Sequence, residues 1–362
     1  MIAATGLAQG RQADPALAER AVRDAMARSG LDHPQAVLLY LTAEFAHDPQ
    51  PAITAAARAA GCLQVAGCTA AGVFTEEDWV LDAPAAAALV LGEGTGLSPA
   101  PRGEAGPVLT LAAPNALDML WLQGGGQRFG GVSGDATGQG PYSVWSGGRV
   151  QASGRCELVL AGSMPDIGLS QGVKPLCPPR PVARVAGHDI LALGDGDALA
   201  SLARELPLSQ RAPERIPTHL LMAGLPYGEP EQAVAEGRYN LLPVVAVNPG
   251  DKSVTVAGRL APGTALFWAL RQPHAAEQEM AALLDSLARK RTREPAFALM
   301  FPCMGRGPYF YGGVDKDILA VKKRHPALPC IGFYGNGEIA SQNGSNRLLQ
   351  YSVVLALGYG HV

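Results

Sequence analysis

The sequence predicts an α/β protein with two related domains, each built on mixed sheets flanked by helices, and with a ligand cleft near the domain interface. Its 362 residues exceed what a single hydrophobic core usually organises. Apolar runs of strand length alternate with segments of helical period, as is typical of α/β folds. A strand–helix–strand pattern also occurs near both ends of the chain, so the two halves are expected to share one plan.

The first half contains a helix–strand–helix–strand series. Residues 15–29 have a helical period that ends at Gly30, and residues 36–41 form a continuous apolar run typical of a buried strand. Residues 53–60 are helical and residues 63–66 form the next strand, which makes a β-α-β unit with parallel strands. Order is expected throughout the chain except in the first dozen residues.

A glycine pair follows this unit and returns near the end of the chain. Gly67 and Gly72 are five residues apart, as are Gly332 and Gly337. The second pair also follows a strand, a helix and a strand, which are predicted at 297–301, 315–324 and 330–331. An apolar strand comes after each pair, the last one at 349–357. This repetition supports two related domains.

The middle of the chain carries the domain boundary. Short strands broken by glycine pairs and prolines at 142–187 favour a mixed or antiparallel sheet. A helix at 198–205 precedes three prolines within 207–217, the strongest linker signal, so the domains are predicted at 1–215 and 216–362. The second domain is expected to open with strands at 241–247 and 253–256, followed by a long helix at 274–289.

Composition excludes several classes of partner. Net charge is −3, and the basic runs at 289–291 and 322–324 lie where helices should end, so no nucleic-acid partner is expected. No apolar run approaches the ~20 residues of a membrane span, and the N-terminus lacks a signal-peptide pattern. Six dispersed cysteines without zinc-finger spacing are expected to be reduced thiols with no metal. A cytoplasmic protein without membrane attachment is expected.

One loop combines a thiol and a cation. Cys303 ends an apolar strand, and Arg306 lies between Gly305 and Gly307, where the backbone can approach a ligand closely. The planar guanidinium suits a carboxylate or a phosphate. The alternative is that Arg306 pairs with an acidic side chain of the protein, Glu338 being one candidate. Catalysis by Cys303 is disfavoured because the sequence assigns it no base.

The segment 335–338 is a second candidate, either as a tight hairpin turn or with Asn336 and Glu338 projecting into a cleft at a strand end. A glycine-rich bend at 129–135 lacks the Gly-Lys-Ser/Thr of a phosphate-binding loop, which excludes an NTPase. Tyr311 either stacks on a ligand or packs in the protein. The predicted ligand-binding set is Cys303, Gly305, Arg306, Gly307, Tyr311, Gly335, Asn336, Gly337, Glu338, Gly67, Cys68, Thr69, Gly130, Gly131 and Asp135.

These segments resemble the FIST family, whose sensory modules have an N-terminal and a C-terminal portion. Residues 301–307 and 329–339 look like the family's Cys-x-Gly-Arg-Gly and Gly-Phe-x-x-Asn-Gly-Glu-Ile patterns. The segment 67–72, the glycines at 130–131 with Asp135, and the segment 169–176 are similar to the N-terminal portion. A full helix is expected from the resemblance at 114–125, where the chain has too few residues for one.

The resemblance implies binding of a small molecule, with an amino-acid-like or other carboxylate metabolite the usual suggestion, and signalling through a separate partner protein. Some members are haem-binding nitric oxide sensors, so haem is the alternative to the absence of a cofactor, with His188 and His325 as available ligands. A Cys303-dependent enzyme is the third hypothesis.

Overall fold

The computed structural model describes residues 1–92, 94–101 and 106–360. The chain divides into two compact units, unit 1 (Met1–Gln171 with Glu279–Val362) and unit 2 (Gly172–Gln278). Both contain strands and helices, which confirms the predicted mixed α/β class. The expected boundary at residue 215 lies inside unit 2, so it stays a prediction about sequence modules, which are a different division from the compact units.

The strands of the first segment of unit 1 are β1 Ile2–Gln9, β2 Ala36–Thr42, β3 Val65–Ala70, β4 Gly72–Thr75, β5 Trp79–Leu81, β6 Ala85–Gly92, β7 Gly96–Pro99, β8 Pro107–Ala112, β9 Gln127–Val132, β10 Val144–Ser146, β11 Arg149–Val150, β12 Arg155–Ala161 and β13 Asp166–Ser170. Its helices are α1 Pro15–Ser29, α2 Gln50–Ala60 and the short α3 Met119–Gln123. Five residues of helix at α3 agree with the shortened segment seen in the sequence.

The remaining strands are β14 Val173–Pro175, β15 Arg180–Ala186, β16 Asp189–Leu193, β17 Gly196–Asp197, β18 Leu221–Pro226, β19 Tyr239–Asn248, β20 Ser253–Val256, β21 Ala265–Arg271, β22 Phe297–Pro302, β23 Cys330–Tyr334, β24 Glu338–Gln342, β25 Ser345–Leu349 and β26 Val353–Gly358. The remaining α-helices are α4 Ala198–Glu205, α5 Pro230–Ala235, α6 Pro273–Ala288 and α7 Lys316–Arg324. Short 3₁₀ turns lie at Ala43–Phe45, Pro114–Ala116, Leu208–Gln210, Pro213–Arg215, Thr218–Leu220 and Met304–Arg306.

Unit 1 contains three six-stranded sheets with one shared plan. Their strand orders are β1-β6-β2-β3-β10-β11 in sheet I, β7-β12-β8-β9-β24-β25 in sheet II, and β13-β26-β22-β23-β4-β5 in sheet III. In each sheet the two central strands are parallel and come from one β-α-β segment. The outer hairpin of each sheet comes from a different segment of the chain. The chain therefore passes cyclically from sheet to sheet.

A glycine lies at the same place in each sheet, on the second parallel strand. At this point the backbone of the neighbouring strand leaves no room for a side chain. A Cβ atom would lie 1.7 Å from the Leu39 oxygen at Gly67, 2.0 Å from the Thr110 oxygen at Gly130, and 1.9 Å from the Met300 oxygen at Gly332. The two glycine stretches matched in the sequence are thus structurally equivalent, and Gly130 marks a third copy.

The core lies where the sheets face one another. Tyr40 of sheet I packs on Phe301 and Phe333 of sheet III, with ring centroids 6.4 and 4.8 Å apart. The same cluster includes Leu109 and Phe129 of sheet II. Helices α1 and α2 cover the other face of sheet I, and α6 and α7 pack on sheet III. Burial of these apolar side chains is the main stabilising contribution.

Two sequence expectations about the chain ends are wrong. β1 is an ordered strand, paired with β6 from Ile2 opposite Gly92 to Gln9 opposite Ala85. Its alanines, glycine and threonine give no apolar period, and the pairing with β6 orders it. The single strand expected at 349–357 is divided between β25 and β26, which lie in different sheets.

Unit 2 is built on an antiparallel sheet that closes on itself, because β18 pairs with both β19 and β21. The strands β10 to β15, which lie within 142–187 in both units, all pair antiparallel, in agreement with the mixed or antiparallel sheet predicted there. The predicted strands at 241–247 and 253–256 are confirmed as β19 and β20. Among the described residues, no helix combines the length and hydropathy that crossing a membrane requires.

Candidate functional site

The glycine-rich segments singled out in the sequence are places where the chain crosses between sheets. β23 and β24 belong to sheets III and II, so the segment 335–338 is not a hairpin turn. Gly130 and Gly131 lie within β9, so the bend expected at these glycines is also wrong, and Gly67 likewise lies within a strand, β3. A run of glycine has the same local signature in a turn and in a crowded crossing.

The three crossings meet and are joined by a cyclic set of backbone hydrogen bonds. The donors and acceptors are Ala71 N to Tyr334 O at 3.1 Å, Asn336 N to Val132 O at 3.0 Å, and Gly134 N to Thr69 O at 3.4 Å. The Ser133 hydroxyl donates to the Thr69 oxygen at 2.6 Å. The predicted residues Thr69, Gly130, Gly131 and Asn336 are thus brought together, in unit 1.

A buried polar group lies beside this junction. Glu338 is fully buried, and its Oε2 accepts hydrogen bonds from the Ser352 amide at 3.1 Å and the Ser352 hydroxyl at 2.5 Å. Its Oε1 has no hydrogen-bond partner among the described residues. Cys303, which is 7% exposed, forms a β-bridge with Gly335 and lies close enough to hydrogen-bond to the Glu338 carboxyl group.

Burial raises the pKa of Glu338 to about 8, although hydrogen bonds from Ser352 and Cys303 and the charge of Arg306 favour the ionised form. The carboxyl group is therefore largely protonated at neutral pH. When ionised, it is a stronger base than an exposed glutamate.

Arg306 binds other side chains of the protein. Its guanidinium is buried and makes two bonds of 3.1 Å to the Asp317 carboxylate, one of 2.9 Å to the Tyr311 hydroxyl and one of 2.9 Å to Ser170 Oγ. Burial lowers the pKa of Arg306, but the charges and hydrogen bonds of Asp317 and Tyr311 together raise it above its ordinary value. Arg306 thus pairs with an acidic side chain as the sequence allowed, but with Asp317, and its role toward a ligand stays a prediction.

A second acid lies next to this pair. Asp315 accepts a hydrogen bond of 2.7 Å from the Tyr334 hydroxyl. Burial and the charge of Asp317 raise the pKa of Asp315 to about 6. Tyr311 bonds to both Arg306 and Asp317. It is thus part of a polar network that connects α7 with the loop after β22.

Asp135 organises the long crossing from β9 to β10. Its carboxylate accepts hydrogen bonds from the Thr137 hydroxyl, the amides of Gly138 and Gly140, and the Tyr142 hydroxyl at 3.3 Å. Burial raises its pKa, but these four donors together lower it below the usual value. Asp135 is thus held as a carboxylate that positions Tyr142.

Tyr142 lines a cleft of about 470 Å³ in unit 1. The other lining residues are Ala113, Asn115, Ala116, Leu117, Asp118, Gln151, Ala152, Ser153, Gly154 and Arg155. The Arg155 guanidinium lies 4.7 Å from the ring centroid of Trp121, and the Arg128 guanidinium lies 4.5 Å from the same centroid. The cleft therefore offers a cation, a carboxylate and several neutral polar groups. A further cleft of about 530 Å³, at 123–127 and 341–346, has only neutral lining residues.

Several functional residues were missed by sequence reasoning. Ser352, Asp317, Tyr142 and Arg155 stand outside the glycine-rich motifs on which the sequence prediction depended. Asp317 lies two residues after the predicted N-terminus of α7, so this acid could have been recognised from the sequence. The equivalence of Gly130 with Gly67 could also have been recognised, because Asp135 follows Gly130 by five residues, as Gly72 follows Gly67.

Haem binding stays a prediction, and the structure gives the surroundings of the two histidines named for it. His188 Nδ1 is 3.3 Å from the Val256 carbonyl oxygen, and His325 Nδ1 is 2.7 Å from Glu294 Oε2. His325 Nε2 is buried without a hydrogen-bond partner among the described residues, and His325 lines a cleft of about 320 Å³. Within the described residues, no group of three or more His, Cys, Asp or Glu side chains is placed to hold a metal ion.

Comparison with protein families places two domain models on the chain. Residues 35–195 match the FIST N domain, and residues 198–341 match the FIST C domain. An uncharacterized protein of Mycobacterium bovis, Mb0898c, is 26% identical over 229 residues, which cover 63% of this chain and 59% of the relative. An uncharacterized protein of Mycobacterium tuberculosis, Rv0628c, is 24% identical over 229 residues, 63% of this chain and 60% of the relative. The chain spans about three fifths of the length of these relatives.

Proposed function

Because the chain belongs to the FIST family, with a FIST N domain and a FIST C domain, we propose that it is a sensory protein that binds a small amino-acid-like or other carboxylate metabolite and acts through a separate signalling protein. FIST domains are associated with sensory signal transduction. The choice of ligand rests on the cleft of about 470 Å³, which is lined by Arg155 and Asp118.

The chemistry of this cleft suits a small zwitterion or carboxylate. Its volume lies within the roughly 300–1,000 Å³ of small-molecule sites. Arg155 stacks on Trp121 and forms no ion pair with a carboxylate of the described chain, so its planar donors are available for a ligand carboxylate. Asp118 uses Oδ1 to cap α3 and carries a negative charge that an ammonium group would neutralise.

Tyr142 supplies the link to the predicted site residues. Its hydroxyl bonds to Asp135, whose carboxylate also fixes the crossing that meets Asn336 through Gly134. A ligand that rearranges Tyr142 would thereby act on the junction of the three crossings. Such coupling requires a difference in affinity between two arrangements of the protein.

The cleft at 123–127 and 341–346 is the weaker alternative for this ligand class. Its glutamines, asparagines, serine and glycines offer hydrogen bonds but no opposite charge for a carboxylate. Ionic hydrogen bonds are stronger than neutral ones, which favours the cleft with Arg155.

Thermal-shift and calorimetric titrations with L-amino acids, dicarboxylates and keto acids test the proposal, since a ligand stabilises the form that it binds. Arg155→Gln should raise the Kd about 10- to 100-fold, because it removes a charged hydrogen-bond donor. Arg149→Gln is the matched control, because Arg149 is exposed on β11 and does not line the cleft. Absence of binding at millimolar concentration, or an equal loss in both variants, contradicts the proposal.

The cytoplasm is the proposed location. The six described cysteines form no disulfide, which fits a reducing compartment. A ligand-dependent change in co-purification of a signalling protein, lost in Arg155→Gln and retained in Arg149→Gln, tests the second half of the proposal. A signalling protein that co-purifies equally with and without ligand contradicts it.

A further inference from the structure

The threefold plan of unit 1 allows each buried residue to be compared with two equivalents. Glu338 lies opposite Gly131, Val73 opposite Phe333 and Val144 opposite Cys68. Gly131, Phe333 and Cys68 each directly follow one of the three equivalent glycines. Two of the three equivalent positions therefore hold a buried valine, and the third holds a buried carboxyl group.

The neighbours of Glu338 differ in the same way. Cys303 N donates to Ser352 O at 3.0 Å, as Ala113 N donates to Gly154 O at 2.8 Å in the copy that contains Gly130. The equivalent positions in the first copy hold Thr42 and Ala85. Each copy thus has three equivalent residues at this place. They are Cys303, Glu338 and Ser352 in one copy, Thr42, Val73 and Ala85 in another, and Ala113, Val144 and Gly154 in the remaining one.

A buried carboxyl group is costly where apolar side chains serve the same structural position. In the first copy, the amide of Ala85 is satisfied by the Thr42 hydroxyl at 3.0 Å, with no acid present. The fold therefore does not require Glu338. Its unpartnered Oε1, fully buried beside a thiol, points to a chemical role.

We propose that Cys303 is a hydroperoxide-reactive thiol and that the ionised form of Glu338 takes its proton. The two bonds from Ser352 orient the carboxyl group through Oε2, and the ionised carboxylate accepts the proton of the neighbouring thiol. The sulfur then attacks one oxygen of the hydroperoxide, so that an S–O bond forms and the O–O bond breaks. The departing oxygen takes the proton from Glu338, which gives water or an alcohol. Sulfur is oxidised by two electrons to a sulfenic acid, and the hydroperoxide is reduced.

Access favours a small uncharged oxidant. Cys303 is 7% exposed, whereas Cys68 and Cys330 are completely buried. A peroxide molecule is close to water in size and brings no charge into the site, unlike larger or ionic electrophiles. Cys303 is the cysteine that combines some exposure with a buried carboxyl neighbour, and Cys62 is more exposed without one.

Hydrogen peroxide followed by trapping of sulfenic acid with dimedone and peptide mass spectrometry tests the proposal on the full chain. In the wild-type protein at pH 8, where a substantial fraction of Glu338 is ionised, Cys303 should be labelled at least about tenfold faster than Cys62 in the same sample, because a positioned base assists its deprotonation. Glu338→Gln should slow labelling of Cys303 at least about tenfold and leave Cys62 unchanged.

Glu76→Gln is the matched control. Glu76 accepts a bond of 2.9 Å from the Cys330 amide, so the variant removes a carboxylate beside a different cysteine and should not change Cys303 labelling. Labelling of Cys303 no faster than that of Cys62, or a rate unaffected by Glu338→Gln, overturns the proposal. The comparison of Cys303 with Cys62 needs no variant, so it decides the matter even where Glu338→Gln does not fold. Neither outcome depends on the ligand cleft.

Discussion

The backbone amide of Asn336 donates to the carbonyl oxygen of Val132 at 3.0 Å, and this bond has two equivalents around the junction of the three sheets. The positions equivalent to Asn336 hold Ala71 and Gly134. A Cβ atom on Gly134 would lie 2.7 Å from the Asn336 side-chain oxygen, so the one large side chain fills the space that the smaller residues leave. The junction is therefore close-packed as well as hydrogen-bonded, which couples the three copies.

Gly332→Ala should destabilise unit 1 by at least about 3 kcal/mol, because its Cβ would lie 1.9 Å from a carbonyl oxygen of β22 and the strands must separate. Urea unfolding monitored by circular dichroism measures the loss. Gly124→Ala is the control, with an extended backbone and no neighbour closer than 3.5 Å to the new carbon. It should change stability by less than about 0.5 kcal/mol.

Arg306→Met should cost about 3–5 kcal/mol, because the buried Asp317 carboxylate loses the cation that offsets its burial. The double variant Arg306→Met with Asp317→Leu should recover much of this loss, since no uncompensated charge remains. Chemical denaturation of the four proteins of the cycle gives the coupling energy. Arg23→Ala, which breaks an exposed pair with Glu19, should cost under about 1 kcal/mol. Equal losses at Arg306 and Arg23 would show that the buried pair has no special role.

Glu338→Gln should stabilise the protein relative to wild type by an amount that depends on pH. The pKa of Glu338 is about 8 in the folded protein and near its ordinary value in the unfolded chain. The unfolded chain therefore loses this proton at lower pH, and wild-type stability falls as pH rises from about 5 to about 8. The advantage of the glutamine should be small at pH 5, grow to on the order of a few kcal/mol near pH 8, and then level off.

Denaturation midpoints at pH 5, 6, 7, 8 and 9 measure this dependence. Glu44→Gln serves as the control because Glu44 is exposed in the turn after β2, and its effect should stay below about 0.5 kcal/mol at each pH. A constant difference between wild type and Glu338→Gln across this range would be inconsistent with a raised pKa.

Asp135→Asn should loosen the crossing that carries Tyr142. Asparagine keeps one acceptor oxygen, so the donors that met the other carboxylate oxygen lose their partner. Hydrogen exchange at the Gly138 and Gly140 amides should accelerate about tenfold or more, which corresponds to the loss of one charged hydrogen bond. Mass spectrometry after exchange measures the effect, with the exposed Asp32→Asn as the control. Unchanged exchange would mean that Asp135 does not order this segment.

Local patterns in the sequence were sufficient for most helices and buried strands. The helix from Pro15 to Ser29 begins at Asp14, whose carboxylate accepts the Ala16 amide, and ends at Gly30 with φ of 68°. The capping side chain, the apolar period and the glycine all lie within one short stretch. The family motifs at 301–307 and 329–339 are equally local, which is why they identified the segments of the candidate site.

Short-range patterns in the chain establish the α/β class, the glycine spacing shared by 67–72 and 332–337, and the presence of polar groups at 303–306 and 335–338. The folded chain was needed to show that Arg306 meets Asp317, that Glu338 meets Ser352 and Cys303, and that a third copy completes the plan. Helices and caps depend on interactions a few residues apart, whereas the exchange of hairpins between sheets joins strands as far apart in the chain as Gly72 and Tyr334. Their pairing is set by the packing of the whole of unit 1.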